Sequence, residues 1–283
     1  MKLKSIPINA LPSEISTAVI IGRSSSNGSP NSKEVERSHR DSGYTFILQE
    51  KGITNIEIDF RKQSIIGPAV IFIHPSQVHR VISFEEAVIT SWIISVESIR
   101  PEYLQILEDL TPVNILSLTE DALSIISETA STCIKISDRR EEKMYASILK
   151  EGCNTLITLV ISQYLAESKP AEKHSRFEVV TKNFKKALEA NFTTVKSPSA
   201  YADILNISTP YLNECLKTTT GYSVSYHIQH RVMLEAKRLL YHSDKSIKEI
   251  AADLGYDDYS YFTRLFSKIV QMTPLAFRNK NLD

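Results

Sequence analysis

Short apolar runs fill the early part of the chain, and longer stretches with helical periodicity fill the rest. Between about residues 17 and 96 the runs are rich in β-branched and aromatic residues, and Gly, Pro and Asn separate them. Around residues 53–60 apolar side chains partly alternate with polar ones, which is typical of strands that bury one face. The pattern predicts an antiparallel β-sandwich or barrel.

After Pro101 the apolar residues recur at helical spacing. Residues 139–167 predict one long helix, with Glu141 and Glu142 in its first turns. A broad apolar stripe runs along this helix through Ile148, Leu149, Leu156, Val160 and Tyr164. The stripe packs on the β domain or is covered by a second copy of the chain in a dimer, and the two explanations are compatible.

Length and composition fit two soluble domains, since 283 residues exceed one small module. No uninterrupted apolar run is long enough for a membrane helix, and Pro7 and Pro12 interrupt any apolar core of a secretory signal. The three cysteines, Cys133, Cys153 and Cys215, show no CxxC spacing. We therefore expect buried thiols in a cytoplasmic protein.

A polar segment around Pro170 predicts a linker at 169–176, between a first domain at 1–168 and a second at 177–283. Residues 1–170 carry 17 basic and 21 acidic side chains, and residues 171–283 carry 16 and 12. The net charge thus changes from −4 to +4. A mildly basic second domain is compatible with nucleic-acid binding, but the motifs have to decide.

The second domain contains the pattern helix, tight turn, helix. Ser197 and Pro198 open a short helix, Asn206 suits a left-handed turn, and Ser208 caps the next helix. Ala202 is small where the two helices must cross closely. The inward face of the second helix carries Leu212 and Leu216.

The same pattern returns about fifty residues later. Ser246 and Glu249 form a predicted capping box, Ala251 occupies the crossing position and Gly255 the left-handed turn. Phe262 and Phe266 anchor the second helix of this motif, whose turn is one residue longer. A long helix capped by Ser223 joins the two motifs.

Two such motifs in series are more specific than one. The C-terminal third resembles the AraC/XylS family in Gly221, Arg231, Ala236, Leu239 and Leu240, in the tail at 247–274, and in Phe277 and Arg278. The chain departs at Gln271, where the family usually has Gly. If this residue needs a positive φ, the strain is roughly 1 kcal/mol.

This resemblance implies an α+β fold with two domains. The N-terminal domain would be a cupin-like antiparallel β-barrel with helices, and the C-terminal domain an all-α double helix-turn-helix. The implied function is that of a sequence-specific DNA-binding regulator of transcription that acts as an activator, and not that of an enzyme. Its implied partners are double-stranded DNA, a second copy bound through the N-terminal helices, a small-molecule effector and, as a further candidate, RNA polymerase.

Only the major groove distinguishes all four base pairs, so the outward side chains of each second helix are the candidate readers. They are Thr209, Pro210, Asn213, Glu214 and Lys217 in the first motif and Tyr259, Ser260, Thr263, Arg264 and Lys268 in the second, together with Arg231 of the joining helix. The family pattern assigns base contact chiefly to Pro210, Asn213 and Glu214. We expect Arg264 to read guanine and Lys268 to lie near phosphate. For each residue the alternative is an ordinary solvated side chain.

In the N-terminal domain, the resemblance suggests Arg40, Tyr44 and His79 as ligand-facing residues, with rim or core positions as the alternative. His39, His74 and His79 invite a metal interpretation, but His74 and His79 would lie on opposite faces of a continuous strand. We therefore expect no metal and no cofactor. Two other functional classes stay open: a cupin-type enzyme with a DNA-binding tail, and a binding module without an effector.

Overall fold

A computed structural model describes residues 6–9, 11, 19–30, 37–110, 114–167 and 176–280. The chain divides into an N-terminal unit, Pro7–Pro170, and a C-terminal unit that contains residues 171–283 with residues 1–6. The first unit mixes strands and helices and the second is helical, so the predicted two-domain α+β class is confirmed. The predicted linker at 169–176 lies, up to residue 175, outside the described residues, and the exact domain limits stay a prediction.

The strands belong to the N-terminal unit. In chain order they are β1 (Ile8–Asn9), β2 (Val19–Gly28), β3 (Arg40–Asp41), β4 (Gly43–Ile58), β5 (Arg61–Ile66), β6 (Ala69–Ile73), β7 (His79–Ser95) and β8 (Leu116–Ser117). The main sheet has the order β2-β7-β4-β6-β8, with β5 also paired to β4, and all its pairs are antiparallel. Strands β1 and β3 form a separate parallel pair. Within the described residues the main sheet is open, so the barrel stays a prediction.

Strand β4 contributes to two apolar clusters. Phe46 packs with Trp92 at a ring-centroid distance of 5.1 Å, in the cluster that the helices of this unit cover. Farther along the strand, Ile56 joins a second cluster with Ile65 and Ile71. Both Phe46 and Ile56 occupy even positions, and the register shifts between them change the face that the strand buries.

Three α-helices complete the N-terminal unit: α1 (Pro101–Leu110), α2 (Glu120–Ser137) and α3 (Tyr145–Glu167). The predicted start of α3 at Arg139 is wrong, because Met144 has φ 66° and the residues before it, Glu141 and Glu142 included, are not helical. The predicted stripe is buried within the unit except for Ile148, which is 47% exposed. The prediction that the N-terminal unit itself covers the apolar stripe is thus confirmed, and dimerisation stays a prediction.

Seven helices form the described part of the C-terminal unit. They are α4 (Arg176–Asn191), α5 (Pro198–Ile204), α6 (Thr209–Thr220), α7 (Val224–His242), α8 (Ile247–Asp253), α9 (Tyr259–Val270) and α10 (Pro274–Lys280). Phe184 and Tyr201 are fully buried in the core of the first motif. The three cysteines of the chain are buried free thiols, as predicted. Among the described residues, no helix has the length and apolar character that a membrane span requires.

Candidate nucleic-acid interface

The first helix-turn-helix consists of α5 and α6. Ser197 and Ser208 cap the two helices by accepting hydrogen bonds from the backbone N–H groups of Ala200 and Tyr211. Asn206 has φ 53°, and the next residue donates its N–H to the carbonyl of Ala202 at 3.0 Å. This bond closes the turn beside the small buried residue, so the predicted caps, turn and crossing position are confirmed.

The outer side of α6 carries the predicted base readers. Pro210, Glu214 and Lys217 are exposed, while Thr209 and Asn213 are half-buried. The Oδ1 atom of Asn213 accepts the backbone N–H of Val224 at 3.2 Å and so helps to begin α7. Bidentate recognition of adenine needs this oxygen as well as the amide nitrogen, so it would require Asn213 to give up that hydrogen bond.

The second helix-turn-helix consists of α8 and α9. Ser246 and Glu249 form the predicted capping box, and Gly255 has φ 74° in the turn. Asp258 caps α9 by accepting the N–H groups of Ser260 and Tyr261 at 2.8 and 3.0 Å. Phe262 and Phe266, both fully buried, hold α9 in place as predicted.

The outer side of α9 is the more open of the two predicted reading surfaces. Tyr259, Ser260, Arg264 and Lys268 are exposed. Thr263 is half-buried, and its hydroxyl oxygen is buried without a hydrogen-bond partner among the described residues. Tyr261, which the sequence analysis did not single out, is 46% exposed beside them. Its position directly after Tyr259 and Ser260, which the sequence analysis did name, was the signal that could have found it.

A second connection besides α7 joins the two motifs. A side-chain carbon added at Gly255 would lie 2.0 Å from the carbonyl oxygen of Thr193, so the turn of the second motif packs directly on the loop before α5. From the same loop, Lys196 places its ammonium 5.4 Å from the ring centroid of Tyr256 and donates to the carbonyl of Phe192 at 2.5 Å. Burial lowers the pKa of Lys196 to about 8. The two motifs are thus in contact through this loop as well as through α7.

Arg231 of α7 lies inside a network of the C-terminal unit. Its Nε donates to both carboxylate oxygens of Glu189 at 2.8 Å, and its Nη1 lies 3.4 Å from Glu235. The guanidinium stacks 3.8 Å from the ring centroid of Phe192, and the side chain is 10% exposed. The predicted contact of Arg231 with DNA would require it to leave these partners, and it stays a prediction.

The predicted ligand residues of the N-terminal unit are not among those that line its two described cavities. Tyr44 is fully buried and donates its hydroxyl to Glu108 at 2.7 Å, and burial followed by this bond raises its pKa. His79 is buried as well, while Arg40 is half-buried. Two surface cavities of this unit are lined by other residues, one around Tyr145 and one around Asn154. The core alternative therefore describes Tyr44 better than the ligand-facing one.

Comparison with known proteins finds a family model and relatives that match the helix-turn-helix pair. A family model described as a helix-turn-helix domain matches residues 201–280, which contain both motifs almost completely. The MmsAB operon regulatory protein of Pseudomonas aeruginosa is 35% identical over 79 residues, 28% of this chain and 26% of that protein. The transcriptional activator RhaS of an Enterobacter strain is 30% identical over 91 residues, 32% of this chain and 33% of its own length. The chain thus spans about a quarter to a third of the length of these curated relatives.

Solved structures are similar over different extents of the chain. The C-terminal domain of the response regulator YesN from Fusobacterium nucleatum is 26% identical with a TM-score of 0.34, covering 35% of this chain and 98% of that domain. ToxT from Vibrio cholerae is 13% identical with a TM-score of 0.44, covering 93% of this chain and 97% of that protein.

Proposed function

Because the C-terminal unit is a helix-turn-helix domain of the AraC/XylS family, we propose that this chain is a sequence-specific, double-stranded-DNA-binding regulator of transcription. The observation that carries the proposal is the pair of capped motifs that α7 and the Gly255 contact hold together. A single α-helix fits the major groove. One chain would therefore cover two successive major-groove faces about 34 Å apart and bend the duplex between them.

On α9, we assign base reading chiefly to Arg264, whose exposed guanidinium can donate two hydrogen bonds to guanine. Tyr259 and Ser260 flank it at the start of the helix, and Thr263 lies one residue before it. Lys268 is exposed near the end of α9, where an ammonium suits a phosphate contact.

On α6, Pro210 and Glu214 are the exposed candidates for base contact, and Glu214 can accept a hydrogen bond from cytosine. Lys217 is exposed farther along and suits phosphate. Thr209 and Asn213 complete this surface, with Asn213 offering its amide nitrogen while its oxygen stays bonded to Val224. Since the carboxylate of Glu214 is repelled by phosphates, α6 should contribute less affinity than α9.

Selection of bound sequences from random duplex DNA, followed by footprinting of the full chain, tests the proposal. We expect a site with two protected major-groove segments per chain. Arg264→Ala should relax the preference at one base pair, at a cost of about 1–3 kcal/mol. Lys268→Ala should instead weaken the affinity for every DNA sequence alike and reduce the salt dependence of binding by about one phosphate contact.

Lys135→Ala is the matched control, since Lys135 is an exposed lysine of the N-terminal unit. It should change neither affinity nor salt dependence. A footprint confined to one groove face per chain contradicts the two-groove proposal, and the absence of any selected sequence contradicts the regulator proposal itself.

For the N-terminal unit, we propose a cupin-like domain that binds a small-molecule effector and forms a homodimer through its helices. Arg40 and His79 remain the proposed ligand residues. Regulation by an effector requires two states of the chain with unequal affinity for that effector. A metabolite panel tested by thermal shift checks it, because a ligand at a hundred times its Kd adds about 2.7 kcal/mol of stability. If no compound raises the unfolding temperature, the result favours the alternative of a binding module without an effector.

Three further parts of the proposal concern the cell. We propose that the chain acts in the cytoplasm, works as an activator together with RNA polymerase, and has no enzymatic activity. The name of one similar protein, the transcriptional activator RhaS, supports the activator part. A reporter gene behind the selected site, with and without the chain, measures the direction of regulation.

A further inference from the structure

We propose that His39, Asp41 and His79 form a binding site for a divalent transition-metal ion in the N-terminal unit. The three side chains offer one ligand atom each, and these atoms all lie within 4.8 Å of one another. All three residues are buried, with exposed fractions of 6%, 4% and 6%. Two imidazoles and a carboxylate form a common three-residue ligand set of zinc sites that keep an open position.

The backbone brings the three residues to one point. His39 and His79 face each other across an antiparallel bridge, in which each donates its N–H to the carbonyl of the other at 3.0 and 2.9 Å. Asp41 follows His39 by two residues, and side chains two apart on an extended strand share a face. The sequence signal is therefore the pair His39-x-Asp41, whereas our sequence analysis considered the spacing of His74 and His79.

The distances suit a small inward movement on metal binding. His79 Nε2 lies 3.3 Å from Asp41 Oδ2, and His39 Nε2 lies 3.6 Å from Asp41 Oδ1. Ligand atoms bound at about 2.0–2.2 Å in a tetrahedral arrangement are roughly 3.4 Å apart. The two histidine–aspartate separations are near this value but involve different oxygens of the Asp41 carboxylate, so one carboxylate oxygen has to move toward the second imidazole when both imidazoles bind one ion.

The proton positions also favour a cation at this point. His39 Nδ1 lies 2.7 Å from the carbonyl oxygen of Arg37, so Nδ1 carries the proton and donates it. Nε2, the other ring nitrogen, lies 3.6 Å from Asp41 Oδ1, a buried atom without a hydrogen-bond partner among the described residues. A buried carboxylate oxygen without such a partner favours a cation beside it.

The surroundings supply the outer support that metal ligands usually have. The Arg37 carbonyl orients His39, and the hydroxyl of Thr45 donates to the Asp41 oxygen that faces His79. Metal-bound histidines commonly donate their second ring nitrogen to a carbonyl or carboxylate, and metal-bound carboxylates are hydrogen-bonded in turn. Imidazole ligands favour zinc and its neighbours in the first transition row over magnesium or calcium.

Zinc titration of the purified full chain, after treatment with a chelator, tests the site. We expect one equivalent of Zn²⁺ per chain, and a loss of affinity of more than about 100-fold in His79→Gln and in Asp41→Asn, because even outer-shell partners contribute 10–100-fold. His74→Gln is the matched control, since His74 pairs with Glu108 outside the site. It should bind Zn²⁺ as tightly as the unsubstituted chain.

Co²⁺ in place of Zn²⁺ provides a measurement that needs no substitution. The unsubstituted chain should show the intense visible absorption of four-coordinate Co²⁺, and Zn²⁺ should remove it stoichiometrically. No uptake of either ion, or an equal loss in His74→Gln, overturns the proposal. DNA binding does not enter these measurements, so they stand apart from the test of the proposed function.

Discussion

Replacing Arg231 by Met separates a stabilising role from a DNA-binding one. Met keeps much of the apolar stem of Arg231 but removes the guanidinium that lies between Glu189, Glu235 and the Phe192 ring. We expect the C-terminal unit to lose stability, while its outer helices keep their DNA-reading side chains.

The structure sets the size of this loss. Glu189 is 44% exposed and regains water when Arg231 is removed, and Glu235 keeps a hydrogen bond from Arg238 at 2.9 Å. No buried carboxylate is left without a partner, so the cost stays below the 3–5 kcal/mol of a fully broken buried pair. The lost charged hydrogen bonds and the cation–π contact together give about 2 kcal/mol. For a unit of this size, that corresponds to roughly 10 °C in Tm.

The unfolding of each unit can be followed separately, because the two units differ in their spectroscopic signals. Its one tryptophan, Trp92, is buried in the sheet of the N-terminal unit, whereas the C-terminal unit is helical. Thermal unfolding of the full chain should therefore show a lower transition by far-ultraviolet circular dichroism in Arg231→Met. The transition seen by tryptophan fluorescence should stay at the same temperature.

Arg264→Met is the matched control, because Arg264 is an exposed arginine of the same unit. It should leave both transitions unchanged and alter base preference, whereas Arg231→Met should bind the selected site normally below its Tm. Unchanged stability in Arg231→Met together with a loss of DNA affinity would refute the internal role and restore Arg231 as a DNA contact.

Three further predictions concern the C-terminal unit. Gln271→Gly should raise the stability of this unit by about 0.5–1 kcal/mol, because φ is 60° at this position. The gain should be visible as a higher transition temperature by circular dichroism. An unchanged or lower transition temperature would show that the hydrogen bond from Gln271 to the Lys268 carbonyl compensates the strain. Phe266→Ala should destabilise the unit by about 3–5 kcal/mol in urea unfolding, since the ring is fully buried; a loss under 1 kcal/mol would contradict its anchoring role. Because the pKa of Lys196 falls from 10.5 to about 8 in the folded unit, the unfolded chain binds more protons above pH 8. Unfolding free energy should therefore rise between about pH 8 and 9.5 and rise less in Lys196→Met; parallel curves would contradict the burial of this ammonium.

The sequence predicts the C-terminal unit in detail because its signals are local. Each cap needs one hydroxyl or carboxylate at the start of a helix, and each tight turn needs a residue that tolerates positive φ. Ser197, Asn206, Ser246 and Gly255 meet these requirements within a few residues of chain, and the structure confirms all four. Even Gln271, the one departure from the family pattern, has the positive φ that its position predicts.

Contacts between distant residues could not be predicted in this way. The ion-pair partners of Arg231 come from α4 and from its own helix, and sequence spacing reveals only Glu235 at i+4. Likewise, the hydrogen bond from Val224 to Asn213 depends on how closely α7 follows α6. Helix periodicity shows which face is polar, but it does not show which polar groups are already engaged.

The same distinction explains the N-terminal unit, where side-chain chemistry depends on strand register. A shift of one residue in the pairing of His39 with His79 would turn one ring to the opposite face and separate it from Asp41. Sequence alone does not fix that register, because β4 and β7 contain several shifts between the bridge and the end of the sheet. The histidine–aspartate cluster therefore exists only as a product of the folded sheet. A substitution that moves this register should abolish Zn²⁺ binding even with all three ligands present, and the helix-turn-helix pair should still bind DNA.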